Sequence, residues 1–160
     1  MQRVTRASVT VDGRVTGSIE RGLLTLLGAT HADGPAEAEW LARKVAGLRV
    51  FADERGQMNH DVLEVGGRVL VVPQFTLYGD TRRGRRPEFL AAARPEQAEP
   101  LFECFCDTLV AAGVGVERCV FRAHMAVELV NDGPVTLLIE NPTPAGTGAG
   151  SPPGRGEREP

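Results

Sequence analysis

The sequence predicts an α+β domain in which two helices pack against a mixed, largely antiparallel β-sheet. Two observations lead there. Apolar residues recur with period two, or as short continuous β-branched runs, along most of the chain, and only two segments carry helical apolar spacing. The elements also follow the order strands, helix, strands, helix, strands, which suits helices gathered on a sheet. No internal repeat is visible. The 160 residues form one domain, long enough to bury a core.

Val4, Ala7, Val9 and Val11 alternate in the first strand and lead to Asp12-Gly13, a hairpin turn signal. Val15 to Ile19 form the returning strand, and Leu23 to Gly28 is a continuous apolar run, hence a buried strand. Pro35 opens a helix where its missing N–H does no harm. Trp40, Leu41, Val45 and Leu48 give that helix one apolar face. Val50-Phe51 reads as a short strand before the turn Asp53 to Gly56, and Arg68 to Tyr78 as the most strand-like segment. An arginine-rich loop, Gly79 to Pro87, follows. Pro95 starts a second helix through Leu101, Phe102, Phe105, Leu109 and Val110, ending at Gly113. Two last strands, Val127 to Val130 and Val135 to Ile139, flank a Gly133-Pro134 turn. Residues 1–140 thus make the domain. The segment from Asn141 to Pro160 is half Pro and Gly with no large apolar residue. It cannot offset the entropy of ordering and is expected to be a disordered tail.

The net charge of −3 and pI near 5.7 give no global basic field, so DNA is not an expected partner. No apolar run approaches the length needed to span a bilayer, so neither is a membrane. Cys104, Cys106 and Cys119 are odd in number, match no zinc spacing and follow no signal peptide. They read as reduced thiols of a cytoplasmic protein. His31, His60 and His124 are scattered, and no nucleophile elbow, phosphate loop, dinucleotide fingerprint or metal cluster is present. If the chain is an enzyme, its chemistry rests on no conventional triad, and neither cofactor nor metal is implied.

Two motifs remain, each after an apolar run. One is Pro73-Gln74-Phe75-Thr76-Leu77-Tyr78; the other is Asn131-Asp132-Gly133-Pro134-Val135-Thr136. Proline cannot donate to a sheet ladder, so carbonyls of the Gly-Pro step are available to a ligand. Gln74 and Thr76, alternating with Phe75 and Leu77, are expected on one strand face, where two uncharged polar groups can orient a substrate without supplying a base. Thr76 is the candidate nucleophile or hydrogen-bond donor, against the plainer reading of a strand threonine. Arg82, Arg83, Arg85 and Arg86 crowd one loop. That is either a solvated, salt-bridged loop or a clamp for RNA phosphates.

Together these motifs resemble those of the D-aminoacyl-tRNA deacylases. The similarity extends to Gln2 to Val9, the turn Gly56-Gln57-Met58-Asn59 and the loop Gly79 to Gly84, and it runs from Gln2 to about Glu140. The resemblance implies a barrel-like core and a homodimer with active sites at the subunit interface. It implies hydrolysis of the ester joining a D-amino acid to the 3′ end of tRNA, and of glycyl-tRNA(Ala). By the same resemblance Gly133 and cis-Pro134 would enter the partner's pocket, capture the α-ammonium through their carbonyls and reject L side chains. Arg3 would hold that Gly-Pro segment, with Asn131 in support. Gln74 and Phe75 would line the adenosine pocket. Backbone N–H groups near Phe75 and Thr76 would stabilise the oxyanion, while the vicinal ribose hydroxyl activates water.

Two departures stand out. Pro73 occupies a place where the family usually has Ser; proline there is typical of a related animal deacylase that removes L-alanine. Met1 directly precedes Gln2, where family members carry several residues of strand. Three readings follow: a D-specific deacylase, a related deacylase with relaxed chirality acting on L-alanyl or glycyl esters, and a non-catalytic RNA-binding module.

Overall fold

The computed structural model describes residues 1–142. Most of the segment read as a tail lies outside the described residues.

Strand β1 (Gln2–Val11) organises the sheet. One side pairs antiparallel with β8 (Ala126–Thr136) from Gln2 to Thr10. The other side is shared: β3 (Gly22–Leu27) takes Gln2 to Val4, and β2 (Arg14–Ile19) takes Ala7 to Val11. The β1–β2 hairpin turns at Asp12 and Gly13, both with positive φ (48° and 75°), as a primed turn requires. Beyond β3 the pairing becomes parallel, to β6 (Arg68–Pro73) and then β7 (Gly115–Arg118). The sheet is therefore mixed, as the sequence predicts. It also curls: a Cβ at Gly17 of β2 would lie 3.1 Å from Leu70 Cδ1 of β6. A two-stranded ribbon, β4 (Phe51–Ala52) with β5 (Met58–His60), stands apart.

The core has two compartments because β3 and β6 are buried on both faces. Leu24, Leu70 and Val72 point into the curl with Val4, Val9, Ile19 and Cys119. Leu23, Val69 and Val71 point outward, where α1 (Pro35–Ala46) and α2 (Pro95–Ala111) cover them with Ala42, Val45, Phe102, Phe105 and Leu109. Both helices begin with proline at the first position. The Gly34 N–H ahead of α1 donates to the Glu37 carboxylate at 2.9 Å, which satisfies one orphan donor of that terminus.

Three expectations change. The segment expected as strand through Tyr78 leaves the sheet at Pro73 and continues as a 3-10 turn, Phe75–Tyr78. The Gln74 N–H makes the last ladder bond, to Leu27 O at 2.7 Å; the next bond is local, Leu77 N–H to Gln74 O. The two strands expected around a Gly-Pro turn are one strand. Asn131 lies opposite Val4 and Thr136 opposite Gln2, so extra residues of β8 bulge between two residue positions of β1. β5 and β7 are additional. β7 is a short edge strand whose apolar signal is interrupted by Glu117 and Arg118, and Glu117 pairs across to Arg68 at 2.6 Å.

Candidate active site

The Gln74–Thr76 turn stands at the C-terminal end of β6, where a parallel strand presents its terminus. Gln74 Nε2 donates to Thr76 Oγ1, so the two polar groups meet across the turn rather than on a strand face. No His, Lys or carboxylate hydrogen-bonds the Thr76 hydroxyl among the described residues. The N–H groups of Phe75 and Thr76 open the turn and precede its internal bonds. The Phe75 ring is 58 % exposed and packs edge-on against Phe89, centroids 5.1 Å apart. Gly28 backs the turn closely: a Cβ there would lie 3.0 Å from both Gln74 O and the Tyr78 ring. Sequence reasoning marked Tyr78 only as the end of the motif, and missed Gly28 and Phe89 as its neighbours. Burial raises the Tyr78 phenol above its ordinary value, aided by the charges of Asp33 and Glu140.

Beside the turn opens a cavity of about 1050 Å³, lined in part by Gln74, Phe75, Tyr78, Phe89 and Met125. It continues between Thr25 to Leu27 of β3 and Leu137 to Glu140, where β1 does not reach. The Met1 ammonium donates to Leu137 O at 2.6 Å there, and burial lowers its pKa.

The second motif is the β8 bulge. Gly133 has φ 141°, and its peptide bond to Pro134 is cis. Arg3, 11 % exposed, grips the bulge. Its Nε donates to Asp132 O at 3.0 Å and sits 3.2 Å from the Asp132 carboxylate; another nitrogen donates to Val50 O. Arg3 thus joins Asp132, beside the Gly-Pro step, to Val50 ahead of β4. A Cβ at Gly133 would lie 2.7 Å from Val135 Cγ2 and 3.2 Å from Arg3 Nη2.

Thr136 of the second motif lines the cavity beside the Gln74–Thr76 turn, but Gly133 and Pro134 do not. The bulge sits at the level of Arg3 on β1, hence of Leu23 on β3 and Val69 on β6. Gln74 is five residues further along, roughly 16 Å at the rise of a strand, and two further strand spacings lie between β1 and β6.

The arginine loop is exposed from Thr81 to Glu88, with Gly79 and Asp80 half-buried at its start. Its four cations are not equivalent. Arg82 folds back on Asp80 through Nε and Nη2, at 2.9 and 2.6 Å, and this holds the Asp80 carboxyl down at about 2. No ion pair joins Arg83, Arg85 or Arg86 among the described residues. His31 and His124 are exposed, and His60 faces Glu64 at 3.5 Å on the far ribbon, so no histidine joins either motif. Among the described residues no group of three or more His, Cys, Asp or Glu side chains is placed to hold a metal ion. No helix among them is long and apolar enough to cross a membrane.

Comparison with known proteins covers nearly all of the described residues. The profile of a family described as D-Tyr-tRNA(Tyr) deacylase matches residues 1–140. A D-aminoacyl-tRNA deacylase of Koribacter versatilis is 60 % identical over 141 residues, 88 % of this chain and 95 % of that one. Another, from Symbiobacterium thermophilum, is 60 % identical over 141 residues, 88 % of this chain and 93 % of that one. Among solved structures, one titled c-Myc DNA Unwinding Element Binding Protein superposes with a TM-score of 0.82 at 40 % identity, covering 89 % of this chain and 97 % of that one. A probable eukaryotic D-amino acid tRNA deacylase shares the fold at a TM-score of 0.70 and 16 % identity, covering 83 % of this chain and 92 % of that one.

Proposed function

The chain belongs to the D-Tyr-tRNA(Tyr) deacylase family, and from that premise we propose that it hydrolyses the ester of D-aminoacyl-tRNA as a homodimer. The observation that carries the reading is the family match across residues 1–140. The geometry supports its details.

Water adds to the ester carbonyl, the bond to the ribose 3′-oxygen breaks, and free D-amino acid and tRNA leave. The proton passes from water, through the vicinal 2′-hydroxyl, to the departing 3′-oxygen. Phe75 and Thr76 N–H groups stabilise the oxyanion. Thr76 polarises and positions; its hydroxyl, already accepting from Gln74, supports no nucleophilic role. Gln74 and Phe75, with Pro73 behind them, take the terminal adenosine against the exposed aromatic surface. The Gly133 and Pro134 carbonyls receive the substrate's α-ammonium, and their backbone excludes an L side chain while a D side chain points away. Glycine, without a side chain, passes, so glycyl-tRNA(Ala) is also a substrate. Arg3 and Asn131 hold the bulge. Arg82, Arg83, Arg85 and Arg86 face the tRNA backbone, Arg82 with its charge shared by Asp80. The separation of the two motifs supports a dimer in which the bulge of one subunit completes the Gln74–Thr76 site of the other.

Purified protein is offered D-tyrosyl-, L-tyrosyl-, L-alanyl- and glycyl-tRNA, and D-tyrosyl-tRNA ending in 2′-deoxyadenosine. The expected result is fast turnover of D and glycyl esters, little of the L esters, and near-complete loss with the 2′-deoxy substrate. Thr76→Ala retains substantial activity. Hydrolysis of none of these esters overturns the reading. Preference for L-alanyl ester would place the chain with the relaxed deacylases to which Pro73 points.

A further inference from the structure

We propose that Asn131 is a positioning residue for chirality: its side chain, bracketed by Gln2 and Thr136, sets the direction in which the Gly133 and Pro134 carbonyls face. The inference rests on the reading of those carbonyls as the receptor of the substrate's ammonium group.

The bulge removes residues of β8 from the β1 ladder, so their backbone groups need other partners. The Asn131 amide replaces the missing strand. Its Oδ1 accepts the Val135 N–H at 2.8 Å, and its Nδ2 donates to Val135 O at 3.1 Å. A primary amide has the same donor and acceptor pair as a peptide unit, so one side chain satisfies both backbone groups of Val135. These bonds tie the residue before the bulge to the residue after it, four positions on. Asp132, Gly133 and Pro134 lie between the fixed ends. Arg3 fixes the middle from the other side, at Asp132.

The amide itself is held in one orientation. Nδ2 also donates to Gln2 Oε1 at 2.9 Å and to Thr136 Oγ1 at 3.1 Å. The Val135 N–H and carbonyl fix which end of the amide faces each, so a flipped amide is disfavoured. The site is part-buried, which raises the cost of leaving any of these groups unpaired. A carboxylate would keep the shape and the bond to Val135 N–H, but it would face the Val135 carbonyl with no proton to offer. The carbonyl is backbone and cannot rotate away, whereas Gln2 and Thr136 can turn a donor toward it. The bulge itself must then shift.

The test is the ratio of kcat/KM for D-tyrosyl-tRNA to that for L-tyrosyl-tRNA, in the parent and in Asn131→Asp. This ratio is independent of the fraction of protein that is folded, so a variant that is merely unstable leaves it unchanged. Asn131→Asp is expected to lower the ratio about tenfold, the scale of one lost charge-assisted or buried bond. The loss should fall mainly on KM for the D ester, because the ammonium site moves while the water-activating ribose does not. Asn131→Ser offers Val135 N–H an acceptor but its carbonyl no donor, and should act in the same direction. It decides the matter if the aspartate variant does not fold. A parent that discriminates and variants that discriminate equally well overturn the role of Asn131 alone. A parent with no preference between the two esters overturns the reading of the site, and this inference with it.

Discussion

Gly133 shows how one residue limits the site. Its φ of 141° lies where side chains are rarely tolerated, and a Cβ would stand 2.8 Å from the Val135 N–H that Asn131 holds. Gly133→Ala should therefore displace the bulge and lower kcat/KM for D esters by at least about tenfold, with a stability loss of about 1–3 kcal/mol from backbone strain. Full D-ester turnover by this variant, measured beside a thermal melt, would show that the bulge does not need to hold its shape. Thr76 shows the opposite. Its type and position suggest a nucleophile, yet its hydroxyl serves as acceptor for Gln74.

The arginine loop is an element whose parts divide the work. Arg82 is committed to Asp80, and the Arg82 side chain is the more exposed of the two. Arg83, Arg85 and Arg86 form no ion pair among the described residues. Replacing Arg83 and Arg85 together with Gln should weaken tRNA binding and flatten its log–log salt dependence by about one to two units. Arg82→Gln should change the slope less, since the Arg82 charge is already offset by Asp80. Filter binding across a salt series measures both. Equal slopes in all variants would leave the loop as solvated surface. The division was invisible in sequence, where four arginines within five positions look alike.

At the scale of the molecule, the proposed site joins the Gly-Pro bulge of one copy to the Gln74–Thr76 turn of another. Sedimentation at micromolar concentration should give twice the mass of the 17.1 kDa chain; a fully active monomer would exclude shared sites. The closed core also sets a pH limit. Burial pushes the Cys106 thiol up to about 12, partly offset by Arg118, and pushes Cys119 up to about 11, both from 9.0. Below pH 9 each thiol is protonated in both states and contributes no pH dependence. Above it the unfolded chain ionises first, so the folded state loses stability as pH rises from about 9 toward 11 and 12. Denaturation between about pH 8 and about pH 10.5 should show a shallower loss in Cys106→Ala than in the parent. Both thiols should resist alkylation at neutral pH, because the thiolate is the reactive form.

The sequence by itself determined the α+β class, both helices, the β1–β2 hairpin and the buried runs of β3 and β6. Each rests on local signals: period, proline at a helix start, Asp-Gly at a turn, continuous β-branched residues. It also marked both motifs, because a Gly-Pro step and a polar Gln-x-Thr beside apolar strands stand out from their surroundings. Tertiary structure alone decided that Gln74 to Tyr78 leave the sheet. Strand propensity favours continuation there, but the ladder to β3 ends at Leu27 and the chain closes its own hydrogen bonds instead. It alone decided that the Gly-Pro segment bulges from one strand, since both flanks find the same partner, β1, some 130 residues earlier in the chain. Long-range pairing sets which backbone groups remain unsatisfied, and in both motifs those groups lie where the site is proposed.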